Sequence, residues 1–229
     1  MSTDYCISLR NVSFKKNTNG SINNIDLNIL KGQLAIIISF EQLTLNNLLK
    51  LLRGEEKPDE GEVVYLGVDR NDILFLPKFD EENEHYPVTV FNLIKFASFS
   101  CSELLYKSRK HIKNLVNEVI SKVGMSHYAK CYIHDLSLSQ IQRVRFARII
   151  LQNPKVLILD KPFLKVNSKT KKDLLNLLKN MLAKNMTIVV TNNTLDDFKN
   201  MHSQLTFIHE GVVFTKALLT PSYTNFIKG

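Results

Sequence analysis

The chain has 229 residues, 44% of them hydrophobic and 23% charged, which suits one folded domain with a substantial core. Its formal net charge of +8 favours acidic partners, but the basic residues are scattered and no motif that reads nucleic acid accompanies them, so nucleic acid is not the expected partner. No run approaches the roughly 18 apolar residues that span a bilayer, the first ten residues lack the apolar segment of a secretory signal, and Cys6, Cys101 and Cys131 show no CxxC spacing, which fits a reduced cytoplasmic setting.

Residues 7–14 (ISLRNVSF) alternate in polarity and predict a half-buried strand. Residues 21–29 alternate again, and Lys31-Gly32 supplies a turn. The segment 34–39 (LAIIIS) is apolar almost throughout, as a strand buried on both faces should be. Residues 45–52 have helical spacing, closed by Gly54, and 58–61 (PDEG) read as a turn. Short strands are predicted over 63–66 and 73–76. From 88 to about 123 the pattern is helical, most clearly at 114–123, and 138–151 reads as a further helix. A buried strand at 156–159 ends in Asp160. A helix over 168–183, a strand over 187–191 and the start of a helix at 194–198 follow. Residues 205–209 and 212–215 pair around Gly211. Strands alternating with helices predict an α/β layer architecture with a parallel central sheet.

The stretch 136–163 (LSLSQIQRVRFARIILQNPKVLILDKPF) resembles the ABC ATPase family, in which an LSGGQ signature precedes a QRVxxARA helix and a strand ending in Asp, then Glu-Pro. Leu136, Ser137 and Gln140 match the signature. Gln142, Arg143, Val144, Ala147 and Arg148 match the helix, and Asn153-Pro154 its end. Residues 157–160 match the Walker B strand, Pro162-Phe163 follow it, and Leu136 and Asp160 keep the family spacing of 24 positions. Gly32 stands before the Walker A strand. Leu48, Leu49, Leu51, Leu52, Gly54, Pro58 and Gly61 are similar to the segment after the P-loop. Phe75, Leu76 and Pro77 resemble the approach to the Q-loop, Val88, Thr89, Val90 and Asn92 the start of the helical subdomain, and Val123-Gly124-Met125 the residues before the signature. The likeness covers nearly the whole chain. It implies an α/β, P-loop NTPase-like (RecA-like) core over 1–87 and 137–229, an N-terminal antiparallel β piece and an inserted α-helical subdomain over 88–136, all within one nucleotide-binding domain.

Phosphate binding by a P-loop needs glycines that turn backbone N–H groups inward, a Lys for charge and a Ser/Thr hydroxyl for Mg²⁺. The corresponding stretch, SFEQLTLNN over 39–47, has no glycine. Its vestigial Walker A residues are Ser39, Glu41, Gln42, Thr44, Leu45, Asn46 and Asn47, with Leu45 at the Lys position and Asn46 at the Mg²⁺ position. Glu41 would set a carboxylate beside the phosphates, a repulsive arrangement. Gln42 and Thr44 carry bulk where the loop uses positive φ.

The family's catalytic Glu after Walker B Asp160 is Lys161 here, the switch His falls on Asn192, and the Q-loop Gln falls on Lys78, or on Pro77 with a shift of one position. The adenine-stacking aromatic falls near Lys16, the signature glycines are Leu138 and Ser139 within Leu136, Ser137, Leu138, Ser139 and Gln140, and the D-loop Asp is Asn167. Lys161 reads first as a solvated lysine, and second as a cation that neutralises Asp160 or Glu41 and stiffens the former site. Arg143, Arg145 and Arg148 read as surface residues, to which the resemblance adds help in docking the helical subdomain. No metal-ligand spacing of the six histidines is present.

These substitutions predict a degenerate cassette that does not hydrolyse ATP and needs neither ATP nor Mg²⁺. In the family, such a subunit binds an integral membrane permease on the inner face of the membrane and pairs with another cassette, as a homodimer or heterodimer. The segment 161–170 (KPFLKVNSKT) and the tail 226–229 are similar to the cassettes of phospholipid-trafficking (MCE-type) systems. Two other readings stand beside this one: a working ATP-hydrolysing transport subunit, for which ATP and Mg²⁺ would be cofactors, and a soluble interaction or nucleic-acid-binding module on the same fold.

Overall fold

A computed structural model describes residues 5–15, 20–79, 87–199, 201, 203–209 and 211–219. Lys16 and the tail 226–229 lie outside the described residues. Strands β1 (Tyr5–Phe14), β2 (Ile22–Leu30) and β4 (Glu60–Tyr65) form an antiparallel sheet in the order β2-β1-β4. A six-stranded sheet runs β5-β6-β7-β3-β8-β9, with β3 at Leu34–Ser39, β5 at Ile73–Leu76, β6 at Val156–Asp160, β7 at Thr187–Asn192, β8 at Ser203–His209 and β9 at Val212–Leu219. All its pairings are parallel except β8 with β9. β3 lies between β7 and β8, and all six of its residues are buried. A strand covered on both faces has no polar side to show, which is why its sequence does not alternate.

Helix α1 (Gln42–Leu52) buries Leu45, Leu48, Leu49, Leu51 and Leu52, while Asn46 stays exposed. These leucines share one core with Ile7, Leu9, Ile25 and Leu27 of the antiparallel sheet and with Ile37, Ile158 and Val189 of the parallel one. Burying each such side chain contributes about 1.5–3 kcal/mol. Cys6 belongs to this core, and burial pushes its thiol up, away from the reactive thiolate. The β8–β9 turn meets β2 where the Asn23 N–H donates to the Gly211 carbonyl (3.1 Å). Gly211 has φ +74°, and a Cβ there would lie 2.6 Å from the Ser21 carbonyl oxygen, so glycine is required at this approach.

The chain divides into two units. The first holds Met1–Pro77, Lys155–Lys161 and Met181–Gly229, and the second Lys78–Pro154 and Pro162–Asn180. The first is the sheet unit. The second contains α2 (Val90–Ala97), α3 (Ser102–Leu105), α4 (Arg109–Lys122), α5 (Leu138–Gln152) and most of α6 (Ser168–Ala183). Within it α2, α4 and α5 pack on one another through Val90, Ile94, Ile112, Val116, Val119 and Val144. No described helix is long and apolar enough to cross a membrane, and no cluster of three or more His, Cys, Asp or Glu able to hold a metal occurs among the described residues.

Several elements differ from the sequence expectation. α1 starts at Gln42 rather than 45, so Gln42 and Thr44 are helical instead of spanning a positive-φ loop. β4 already begins at Glu60, inside the expected 58–61 turn. The helical block after 88 is interrupted: Thr89 bridges Tyr132, a 3-10 turn fills Ser98–Ser100, and Thr89 and Ser108 cap separate helices. The helix expected at 194–198 is a single 3-10 turn, Asp196–Phe198. β7 and β8 both run parallel to β3, so the ten residues between Asn192 and Ser203 must retrace a strand length of about 20 Å. Ten helical residues reach only about 15 Å.

Candidate functional site

The start of α1 is built from β3 and its following residues. Ser39, buried at the end of β3, accepts the Glu41 N–H on its hydroxyl (3.1 Å) and donates to the Glu41 carbonyl (3.3 Å). Glu41 is the N-cap residue, yet its side chain caps no N–H of the helix. Instead its carboxylate accepts the Thr44 hydroxyl (3.0 Å), and His209 Nδ1 lies 3.7 Å from its Oε1. Leu45 is fully buried. Asn47 donates to the Gly20 carbonyl (2.8 Å). Phe40 and Leu43 are left exposed.

Asp160 ends β6 and is 5% exposed. Parallel pairing sets it opposite Thr191 on β7, whose hydroxyl donates to Asp160 Oδ1 (2.5 Å). The Lys161 N–H donates to both the carbonyl and the hydroxyl oxygen of Thr191 (3.1 Å each), and Lys161 takes φ +44°. From there its ammonium donates to Gln42 Oε1 (2.8 Å), and the Gln42 amide donates to Asn46 Oδ1 (2.9 Å). The Lys161–Gln42–Asn46 chain thus lies along the first turn of α1. Lys161 forms no ion pair with Asp160 or Glu41 among the described residues; the Thr191 hydroxyl donates to the first and the Thr44 hydroxyl to the second. Arg53, on the same helix, stacks 3.9 Å above the Phe75 ring and pairs with Glu55 (2.7 Å). Burial pushes its guanidinium down, opposed by Glu55 and Asp160.

Asn192 donates weakly to Asp197 (3.5 Å) and accepts the Asn193 N–H (3.0 Å), while Lys78 is exposed. Thr191 and Gln42 are the partners that sequence reasoning missed. Thr191 was legible only from the β6–β7 register. Gln42 and Lys161, 119 positions apart, carry no local signal.

In the second unit, Ser137 starts α5 with a reciprocal cap. Its hydroxyl accepts the Gln140 N–H (3.4 Å) while Gln140 Oε1 accepts the Ser137 N–H (2.8 Å). Leu136 is buried, Leu138 is half-buried, and Ser139 is buried with its hydroxyl accepting the Asn167 N–H (3.0 Å). Asn167 in turn accepts the Thr170 N–H (2.8 Å). Gln142 donates to the Pro162 carbonyl (2.7 Å) and accepts from Arg145 (3.0 Å). Arg143 donates to the Val123 carbonyl, to Thr170 and to Asp173. Arg143 and Arg145 are thus network residues rather than surface ones. The aliphatic stems of α5 bring their guanidinium groups to carbonyl and carboxylate acceptors that sequence distance conceals.

A family model described as "ABC transporter" matches residues 46–164. The glutamine transport ATP-binding protein GlnQ of Escherichia coli K12 is 25% identical over 215 residues, covering 90% of this chain and 88% of GlnQ. The manganese transport system ATP-binding protein MntB of Listeria monocytogenes is 27% identical over 203 residues, covering 87% and 82%. Among solved structures, cbiO1 of Clostridium perfringens, part of the ABC transporter complex cbiONQ, superposes with a TM-score of 0.80 at 21% identity over 95% of this chain and 89% of its own. A dimeric ATP-binding cassette in a post-hydrolysis state with ADP and Pi gives 0.77 at 23% identity, over 93% and 99%. At these identities the structures speak for the fold.

Proposed function

Since the chain belongs to the ABC transporter family, we propose that it is a cassette subunit of a membrane transport complex that has lost ATP hydrolysis and acts as a scaffold or regulator. The observation that carries this is Lys161. Where the family needs a carboxylate to polarise the attacking water, a cation stands and donates to Gln42 at the head of α1. The neighbouring substitutions act in the same direction. Residues 39–47 contain no glycine and no lysine, Leu45 is inside the core, and Glu41 faces the helix start. A magnesium triphosphate does not fit these residues. Removing one organised electrostatic element costs about 10² to 10³ in rate, and several are replaced together.

The family role implies a permease partner at the inner face of the membrane and a second cassette, either another copy or an active paralogue. We assign the whole chain to one nucleotide-binding-type domain with its helical subdomain over 88–136. The similarity of 161–170 to phospholipid-trafficking cassettes makes lipid the substrate class to test first. The rival reading, an active ATPase, draws on the relatives that are named ATP-binding proteins. Calorimetric titration with MgATP and a phosphate-release assay on the purified chain decide between them. We expect no micromolar binding and no turnover; either one overturns the proposal.

A further inference from the structure

We propose that this chain pairs with a second copy of itself without nucleotide, through apolar side chains that stand where the family's phosphate-contacting helix starts would meet a triphosphate. This pairing presupposes the reading of the site given above, in which no triphosphate occupies the head of α1. The turn from β3 into α1 has only to connect the two, a task that Ser, Asn, Asp or Gly perform at least cost. It carries Phe40 instead, 84% exposed, and the first turn of the helix adds Leu43, 54% exposed. Neither belongs to the core, which α1 fills with Leu45, Leu48, Leu49, Leu51 and Leu52. The polar side chains beside them are engaged within the chain: the Thr44 hydroxyl donates to Glu41, Lys161 to Gln42, Gln42 to Asn46 and Asn47 to Gly20. What this helix start offers a partner is therefore apolar, and two large outward side chains together mark a contact surface.

The second unit has changed in the same sense. Ser137 and Gln140 close the start of α5 on each other, so their N–H groups are already satisfied and are not left for an anion. Leu138, in the place of a signature glycine, is half-buried. Leu164 is 48% exposed, in a loop that the Asn167 N–H ties to the Ser139 hydroxyl on α5 (3.0 Å). Both helix starts have thus lost the means to hold a phosphate, and both present apolar side chains.

That double change within one chain selects the occupant. In a two-fold pair every contact occurs twice, residue i of one copy on residue j of the other and j on i. A copy of this chain brings an apolar α5 start to an apolar α1 start, and burying one on the other desolvates no charge. A cassette with an intact LSGGQ signature would bring backbone N–H groups shaped for an anion against Phe40 and Leu43, and burying those donors without an acceptor is unfavourable. A chain with a net charge of +8 also pairs with itself more readily where the contact is apolar than through its basic surface. Pairing held by side chains alone is constitutive, whereas pairing held by a triphosphate would end with its hydrolysis.

Sedimentation equilibrium of the full chain, with and without MgATP, tests this. We expect dimers in both conditions with the same dissociation constant. F40S/L43S on one side of the contact and L164S on the other should each weaken pairing, the double variant about tenfold or more, with unchanged circular dichroism because all three side chains are exposed in the single chain. F96S/F99S, which removes two exposed rings from the second unit, should pair as the parent does. A monomer at about 100 µM, dimers only with MgATP, undiminished pairing in F40S/L43S, or an equal loss in F96S/F99S overturns the proposal. The two readings fail separately: ATP turnover by a chain that also dimerises without nucleotide would sink the reading of the site and leave the pairing, and a monomer that neither binds nor hydrolyses ATP would do the reverse.

Discussion

The two helix starts at which we place the family's phosphate-contacting positions are held in opposite ways. At α5 the cap is local: Ser137 and Gln140, three residues apart, satisfy each other's backbone N–H groups. At α1 the N-cap Glu41 makes no such bond, and the first two turns are held from afar by Lys161 on Gln42 and by Gly20 on Asn47. A local cap survives drift in the rest of the chain. A long-range one depends on the β6–β7 register that aims Lys161, so the two starts should respond differently to perturbation.

The largest effect should come from the hub of that long-range arrangement. Thr191→Val leaves Asp160 buried without its hydroxyl donor and removes one acceptor of the Lys161 N–H; we expect a loss of about 2 kcal/mol in urea unfolding. A change below about 0.5 kcal/mol would show that the hub is not what positions Lys161. Next in size, Ser137→Ala should cost about 1 kcal/mol through the lost cap, with little dependence on salt because no ion pair is involved. The smallest should be the Lys161–Gln42 bond itself. Its partly exposed geometry predicts a coupling of about 0.5–1 kcal/mol in a double-mutant cycle of Lys161→Met and Gln42→Leu. A null cycle would make the start of α1 indifferent to Lys161, and the contrast between the two helices would collapse to the capping box alone.

Much of the fold is legible in the sequence because burial and periodicity are local signals. The continuous apolar runs of β3, β6 and β7 mark strands covered on both faces, and the leucine spacing of α1 marks its buried stripe. Where the expectation failed, geometry between elements decided. The segment after Asn192 reads as a helix by residue type but must span the return to β8, so only Asp196–Phe198 turns. The block after 88 reads as helical throughout because its apolar spacing is nearly continuous, and the structure divides it where Thr89 and Ser108 supply separate starts.

For the candidate site, the sequence proposes which residue stands at each family position: the leucine at 45, the lysine at 161 and the asparagine at 192. What those side chains do was not. Lys161 could have paired with either carboxylate by charge alone. In the tertiary structure it donates to Gln42, while Thr191, brought opposite Asp160 by strand register, donates to that acid and Thr44 donates to Glu41. Sequence determines chemistry position by position and the periodicities that build elements. Partner choice among polar groups is settled only when the folded backbone fixes which donor lies within about 3 Å of which acceptor, since a hydrogen bond depends on distance and angle rather than on proximity along the chain.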